Sequence, residues 1–597
     1  MVVILMQKFD DNKNIKTYKN SVIIKRLLNY AKKERYKFIL ALIFTAMLVV
    51  VDLTPAYLEG ELIGFLQNSD YDNNYKLIFS LTLVGIFGVV IIASAFLNYF
   101  NSMMLQKSGQ RIILKIRRDV FVKIESLSIA QINATPVGKL VTRVTSDVNM
   151  INELYTNVIV NLIRYILTII FVLVLMFIIN LKLTLYVLTL IPILIIITII
   201  FNKVSRNQYR RVRGSVSNVN AFLSENLSGM KITQIFNQEN KKKLEFNQKN
   251  DDLKKNSIKE ILIFGVFRPL IYVIYIACHI VILYNGVHMV INGQLLSKNL
   301  IKMYQYNSQF FNPIQQLAEQ FNQLQQAFAS SERIFEVLDT KIEILDEDDA
   351  IELDYIEGKI EFDHVWFAYN DDNWILKDVT FTIEPKQTVA FVGATGAGKT
   401  TILALIVRNY EIQKGEIRID GINIKKIKIE SLRRHIGQML QDVFLFSGTI
   451  KSNITMRDDS YSINEVIEAC RYVNASSFIE KLNDGYNYEV LERGNNFSSG
   501  QRQLLSFART ILHKPNIMIL DEATANIDTE TEVLIQDSLE KMMNVGTMLI
   551  VAHRLSTVQH ADKIIVLHKG QIMEMGNHQE LLKKKGLYYN LYELQYK

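Results

Sequence analysis

Cysteine is almost missing from this chain. Cys278 and Cys470 are the only two in 597 residues, one in a stretch that reads as a membrane span and the other in the second half. Neither a disulfide framework nor a cysteine-based zinc site is supported. The opening apolar run, Val2 to Met6, is too short for a signal-peptide core, so the N-terminus is expected to stay in the cytoplasm. Long apolar runs are scarce after residue 330, where short strands and helices alternate with charged loops. An acidic surplus is also lacking: 67 Lys and Arg against 60 Asp and Glu leave a net charge of +7. Because the basic residues cluster beside apolar stretches, a membrane-surface role accounts for them and no nucleic-acid partner is expected.

What is present in quantity is apolar. Hydrophobic residues make up 49% of the chain, and the mean hydropathy is +0.12 in spite of 21% charged residues. That combination places the apolar content in membrane spans, and the length requires two or more domains. Ser21 to Lys37 sets Ile24, Leu27, Leu28 and Ala31 at helical spacing among Lys25, Arg26, Lys32, Lys33 and Arg35, the pattern of a helix lying on the inner leaflet. Six spans are expected after it: about Phe38 to Leu58, Leu77 to Phe100, Val158 to Ile179, Leu183 to Phe201, Ile261 to Tyr284 and Leu300 to Ala329. A short acidic loop with Asp70 and Asp72 joins the first two, and only Asn180, Leu181 and Lys182 join the third and fourth. Basic residues from Lys107 to Lys123 and from Lys203 to Arg213 open two long helical excursions, which the positive-inside rule puts in the cytoplasm as a platform for a soluble domain.

The sixth span is weak by hydropathy. Phe310, Ile314, Leu317, Phe321, Leu324 and Phe328 share one helical stripe, and Gln305, Gln309, Asn312, Gln316, Gln320 and Gln323 share a neighbouring one. Gln305, Gln309 and Asn312 are expected to face a cavity, residues beyond about Gln320 to lie outside the bilayer, and Pro313 to kink the helix. Glu59 and Glu61, at the outer end of the first span, read either as interfacial anchors or as a site for cationic cargo. Arg164, Arg268 and His279 read either as interior structural partners or as snorkelling side chains.

The second half carries the chemistry. Thr388 to Val392 is a β-rich apolar run, and it leads into Gly393, Ala394, Thr395, Gly396, Ala397, Gly398, Lys399, Thr400 and Thr401, after which Ile402 to Val407 begins a helix. Glycines at 393, 396 and 398 let backbone N–H groups close round phosphate oxygens at a helix N-terminus. Lys399 then reaches the β- and γ-phosphates, and the Thr400 hydroxyl holds Mg²⁺. Ile517 to Leu520 and Met548 to Val551 are unbroken apolar runs of the kind buried parallel strands show. They end in Asp521 and Glu522 and, two residues past Val551, in His553, at the strand ends where open α/β sheets place their ligands. Asp521 is expected to organise Mg²⁺ through its water shell, Glu522 to orient or deprotonate the attacking water, and His553 to sense the γ-phosphate.

Gly393 to Thr400, then Phe497, Ser498, Ser499, Gly500 and Gln501, then the Ile517 to Glu522 strand and His553, in that order behind six spans, resemble an ATP-binding cassette exporter with one membrane half and one ATPase half. The likeness covers nearly the whole chain. It implies that Tyr369 stacks on adenine and that Gln441 touches Mg²⁺ and faces the membrane helices. Ser498, Ser499, Gly500 and Gln501 match the signature that binds the γ-phosphate of an ATP held by the opposite subunit, and Asp528 matches the aspartate that bridges the two ATPase halves. Leu127 to Ala134 and Ser228 to Asn237 resemble the coupling helices. Two departures stand out: Ser499 replaces the third-position glycine of the commonest signature, and Leu491 stands where many relatives have glycine before Glu492. Neither removes a group that does chemistry.

The expected fold is therefore multi-domain. An all-α polytopic membrane domain of six transmembrane helices precedes an α/β P-loop nucleotide-binding domain. The divisions are 1–36 for the N-terminal segment and interfacial helix, 37–330 for the membrane domain, 331–357 for a linker and 358–597 for the nucleotide-binding domain. The implied function is ATP-driven, alternating-access export of drug-like, lipid or peptide cargo across the inner (plasma) membrane, with both termini cytoplasmic and ATP and Mg²⁺ as cofactors. A second half-transporter is required, and a heterodimer is preferred to a homodimer. The rival on the same fold is a channel-like or regulatory subunit, against which the intact Glu522 and His553 argue. Six spans exclude a soluble ATPase, and the lack of an early cysteine argues against a peptide exporter with its own protease.

Overall fold

The structure, a computed structural model, describes residues 18–67, 71–370, 373–521, 529–551 and 558–596. Its chain divides into two units, Met1–Lys123 with Gly138–Thr340, and Ile124–Val137 with Lys341–Lys597. Asp70 lies outside the described residues.

The first unit is helical throughout. It opens with α1 (Asn20–Ala31), α2 (Arg35–Leu66) and α3 (Asn73–Glu125). The short helix α4 (Ile129–Ala134) falls with the second unit. One helical run then comprises α5 (Val137–Thr142), α6 (Val148–Glu153) and α7 (Ile159–Ile179), joined by single π-helical turns at Arg143–Asp147 and Leu154–Val158. Such turns insert one residue into the ladder and re-aim the side chains beyond them. α8 (Leu181–Leu188) starts straight after Asn180, whose side chain accepts from the Leu183 N–H and caps it. Thr189 and Leu190 break the helix ahead of Pro192, which sits in the first turn of α9 (Ile191–Ser228) where its missing N–H costs nothing. α10 (Met230–Ile235), α11 (Glu239–Ile291) and α12 (Ser297–Asp339) complete the unit.

Among the described residues, five helical runs are long and apolar enough to cross a membrane: Asn20–Leu66, Asn73–Glu125, Val137–Ile179, Leu181–Ser228 and Glu239–Ile291. In the most apolar stretch of α3 none of the residues is buried within the unit. Leu77, Leu81, Val89 and Phe96 there are about three-fifths exposed, a surface that suits hydrocarbon and not water.

α12 is less apolar than those five runs, yet it supplies the middle of the unit. Met303, Tyr306, Phe310 and Phe311 are buried with Val49 and Leu53 of α2, Val172 and Met176 of α7, and Ile274, Cys278 and Ile282 of α11. Lower down, the expected apolar stripe gives way. Phe321 is 55% exposed, whereas Gln320, Ala327, Ser330 and Ser331 are buried. Ala327, Ser330 and Ser331 are small side chains that let helix backbones approach closely. The helix continues through Pro313 to Asp339, taking in residues 331–339.

The second unit is built on three sheets. Its strands are β1 (Ile360–Ala368), β2 (Trp374–Ile383), β3 (Thr388–Val392), β4 (Lys414–Ile419), β5 (Ile422–Asn423), β6 (Ile436–Met439), β7 (Gly448–Thr449), β8 (Glu489–Val490), β9 (Ile517–Asp521), β10 (Thr547–Val551), β11 (Lys563–His568) and β12 (Gln571–Gly576). The main sheet runs β12-β11-β3-β10-β9-β6, a second runs β2-β1-β4-β5, and β7 pairs with β8. From β11 to β6 the main sheet is parallel.

Both faces of the main sheet are covered, which is why its central strands are continuous apolar runs. Val389, Phe391, Ile517, Ile519, Leu549 and Val551 face one cluster with Ile402, Leu403 and Ile406 of α13 (Lys399–Ile406). Met518, Leu520, Met548 and Ile550 face the other cluster with Leu504, Leu505, Phe507 and Leu512 of α14 (Ser499–Leu512). Cys470 is buried in that second cluster, and burial pushes its thiol up to about 12, so it is inert at neutral pH.

Candidate functional site

The phosphate-binding turn predicted at 393–401 joins β3 to α13. Two of its glycines, Gly393 and Gly398, are needed for space as well as for φ. A Cβ on Gly393 would lie 2.2 Å from the Leu567 carbonyl oxygen, and one on Gly398, at φ +104°, would lie 2.7 Å from the Leu376 side chain. Ala394, Thr395, Gly396 and Thr400 are exposed at the rim, while Ala397, Lys399 and Thr401 are buried beneath it. The Lys399 Nζ donates to the carbonyl oxygens of Gly393 (2.6 Å) and Ala394 (3.3 Å), so its ammonium is folded into the hollow of its own loop.

The strand register brings the other groups to this edge. In the parallel ladders Phe391 pairs with Val551, and Val551 with Asp521. The Thr400 Oγ1 lies 3.5 Å from Asp521 Oδ1. Gln441 is exposed two residues past the end of β6, which is in register with β9. A hydroxyl, a carboxylate and an amide are hard oxygen donors, and two of them stand side by side at an open rim. That set suits Mg²⁺, which takes few protein ligands and fills its octahedron with water and phosphate. Glu522, His553 and Asp528 lie outside the described residues.

Tyr369 follows the last residue of β1. Its hydroxyl is 3.1 Å from Thr401 Oγ1, and its ring meets those of Phe367 and Tyr410 edge-on. Burial raises the pKa of this phenol, offset in part by the Thr401 contact. The residue stays 43% exposed, and a ring clamped at its edges with part of its surface open is fitted to stack on a base. The hydrogen bond to Thr401, which ties the aromatic to the phosphate helix, has no local signal in the sequence.

Ser498 to Gln501 sit elsewhere. Ser498 caps α14: its Oγ accepts from the Gln501 N–H, and the Gln501 Oε1 accepts from the Ser498 N–H at 3.0 Å, a closed capping box. Since α14 covers the sheet face opposite to α13, this helix start belongs to a different layer from the phosphate turn. Leu491 is 52% exposed, and Arg493 and Gly494 after it both have positive φ.

The predicted coupling segments differ. Leu127 to Ala134 contains α4, capped by a box between Ser128 and Gln131. Within the second unit, Gln131 Nε2 donates to the Lys341 carbonyl (2.7 Å) and Asn133 Nδ2 to the Tyr410 hydroxyl (3.3 Å). Ser228 to Asn237 contains α10 and remains in the first unit.

In the membrane half most of the singled-out charges are paired. Arg164 Nη2 meets Asp52 Oδ2 at 2.6 Å, and Ser94 donates to Asp52 at 3.3 Å. Asp52 was absent from the sequence reading, although a lone carboxylate inside the Phe38 to Leu58 run is itself a signal. His279 is buried, with Nδ1 2.9 Å from both the Tyr275 carbonyl and Asn307 Nδ2, which makes it a structural partner. Nothing is described for the Arg268 side chain. Glu61 bonds Lys302 (2.6 Å) and Lys298 (3.0 Å), and Lys302, only 4% exposed, also lies 3.7 Å over the Tyr57 ring. Glu59 accepts from Gln305 at 2.6 Å and is exposed.

A cation-binding role is thereby narrowed to Glu59. Glu61→Gln is expected to destabilise the fold by about 2 to 3 kcal/mol, because it strands the buried Lys302 charge. Glu59→Gln is expected to leave stability unchanged and to weaken transport of cationic cargo selectively. Thermal unfolding of both variants checks this, and an unshifted Glu61→Gln midpoint would remove the structural role given to that carboxylate.

Comparison with known proteins bears on both units. The sequence model described as ABC transporter transmembrane region matches residues 38–314, and the one described as ABC transporter matches residues 376–525. An ATP-dependent lipid A-core flippase of Syntrophus aciditrophicus is 33% identical over 576 residues, 96% of this chain and 95% of that protein. A probable multidrug resistance ABC transporter ATP-binding/permease protein, YheH of Bacillus subtilis, is 36% identical over 86% of this chain and 76% of its own length. A fatty acid ABC transporter ATP-binding/permease protein of Mycobacterium bovis is 35% identical over 84% of this chain and 79% of its own.

Proposed function

This chain belongs to the ATP-binding cassette (ABC) transporter family, as a multi-pass exporter half with its own transport ATPase, and on that premise we propose how its residues divide the work. The divisions 1–36, 37–330, 331–357 and 358–597 serve as anchor, cargo path, linker and ATPase, the linker opening with the last turns of α12 at residues 331–339, in the inner (plasma) membrane with both termini cytoplasmic. ATP supplies the γ-phosphoryl bond whose cleavage resets the cycle, and Mg²⁺ neutralises charge on its phosphates. Tyr369 stacks on the base. Backbone N–H groups from Gly393 to Thr401 hold the phosphates, and Lys399 exchanges its loop carbonyls for β- and γ-oxygens. Thr400, Gln441 and Asp521 hold the cation. Glu522 activates water and His553 steadies the γ-phosphate.

A second half-transporter completes the site. The observation that carries this is the opposite placement of α13 and α14 across the sheet: Ser498, Ser499, Gly500 and Gln501 serve an ATP on another chain, and Asp528 bridges the two halves. The partner is a different chain, since Ser499, Leu491 and the run from Ala525 to Asp528, together with the complete Glu522 and His553, resemble the catalytic member of heterodimeric multidrug exporters. Closure on ATP turns a cavity outward and releases a hydrophobic or amphipathic cargo of the drug, lipid or peptide kind. Relatives named for lipid A-core, for multidrug resistance and for fatty acid support an apolar cargo with a polar end.

Purification of the chain alone, with its mass measured in nanodiscs alongside its ATPase rate, tests the pairing. An inactive chain rescued by a second cassette subunit is expected. A stable pair of identical chains that hydrolyses ATP and transports unaided would sink the heterodimer.

A further inference from the structure

We propose that the outward face of α1 and of the turn that joins it to α2 is a binding site for the head group of an anionic phospholipid. The helix has two unlike sides. Its inner side buries Ile23, Leu27 and Ala31, and the Tyr155 hydroxyl donates to the Leu27 carbonyl at 2.6 Å. Arg26 belongs largely to that side, paired with Asp339 at 2.8 Å and lying 5.1 Å over the Phe335 ring.

The outer side carries an open groove of about 820 Å³. Lys25 and Leu28 of α1, Lys32 of the 3-10 turn Lys32–Glu34 and Arg35 at the start of α2 line it at spacings of three, four and three, Val22 adds an apolar wall, and Arg26, already paired with Asp339, reaches its edge. Among the described residues, no carboxylate lines the groove. Glu34 is the sole acid between residues 20 and 37, and it is turned away, 2.5 Å from Lys37 and 3.3 Å from Arg111. Three cations are therefore left facing outward without an acid among the lining residues, beside Leu28, which is 64% exposed.

Position supplies the source of the anion. The groove ends at Arg35, and the apolar span begins three residues later at Phe38, with Ile39 54% and Leu40 42% exposed. It thus lies where hydrocarbon gives way to head groups. Phosphodiester oxygens meet the ammonium and guanidinium groups there, and Val22 and Leu28 meet the glycerol and upper acyl chain. A zwitterionic head group brings its own cation into the same stripe, so the charge complement favours a lipid of net negative charge. The inner side of the helix is fastened to the last residue of α12, which ties the bound lipid to the end of the first unit.

The full-length protein, titrated with phosphatidylglycerol or phosphatidylcholine and read by intact-complex mass spectrometry, tests the site. Wild type is expected to retain phosphatidylglycerol selectively. Each basic side chain near an anionic surface is worth about fivefold in binding, so K25Q/K32Q/R35Q is expected to lose retention by on the order of 100-fold, and K241Q/K243Q/K254Q, an equal charge loss on α11, to keep it. If the triple variant does not fold, a photoactivatable phosphatidylglycerol on the wild-type chain gives the answer, with label expected on peptides spanning residues 20–36. Equal retention of the two lipids, equal loss in the α11 control, or label placed elsewhere overturns the proposal. Competition by free glycerol phosphate at the same concentrations also overturns it, since the site would then be one for a soluble phosphate.

Discussion

Glu522→Gln is expected to bind ATP as tightly as the wild type and to hydrolyse it about 10²- to 10⁴-fold more slowly. β9 delivers its last residue, Asp521, beside Thr400 and in register with Val551, so the next residue in the chain follows directly on the carboxylate proposed to hold the cation. The amide keeps the shape and the hydrogen-bonding atoms of the side chain but has no basicity. Binding is measured by equilibrium titration with a fluorescent nucleotide. Turnover is measured in the assembled complex, under single-turnover conditions so that a partner site does not mask the loss. Near wild-type turnover at this site would remove Glu522 from the role of base and leave hydrolysis to be assigned elsewhere.

The second large effect concerns Lys399. Its ammonium is buried and satisfied by two carbonyl oxygens of its own loop, so binding phosphate is an exchange of acceptors and not the filling of a void. A hydrogen bond to a charged group contributes about 1.5 to 3 kcal/mol, so Lys399→Ala is expected to weaken ATP by roughly 10- to 150-fold. The competing role, a brace that shapes the empty loop, predicts something else. The nucleotide-free protein would then lose thermal stability while its ATP affinity held. Parallel measurement of the unfolding midpoint and of nucleotide affinity separates the two.

Much of the second unit was legible because local rules and tertiary structure agree there. Ile517 to Leu520 and Met548 to Val551 are apolar at every position since alternate residues face two different clusters. The turn after Val392 is glycine-rich because a neighbouring carbonyl leaves no room for a side chain at Gly393. The membrane half was legible in its spans and not in their partners. The pairing of Asp52 with Arg164, 112 residues apart, depends on how helices cross, and no periodicity records that. Periodicity separated the two stripes of α12 without saying which turns inward: below Pro313 Gln320 is buried and Phe321 is exposed. For Glu61 the carboxylate was visible but its two lysines lie more than 230 residues away.

Residues 124–137 cluster with the second unit, so the backbone passes from one unit to the other at Lys123, returns at Val137 and passes again at Thr340. Those are three covalent stitches, not one tether. A protease that nicks the acidic stretch between residues 341 and 357 cuts only the last of them. The excised ATPase fragment then still holds its α4 strap through the Asn133 to Tyr410 contact, and the strap stays joined to the membrane helices at both ends. On a denaturing gel such a nicked protein runs as two pieces, and residues 124–137 travel with the membrane piece although they cluster with the other unit.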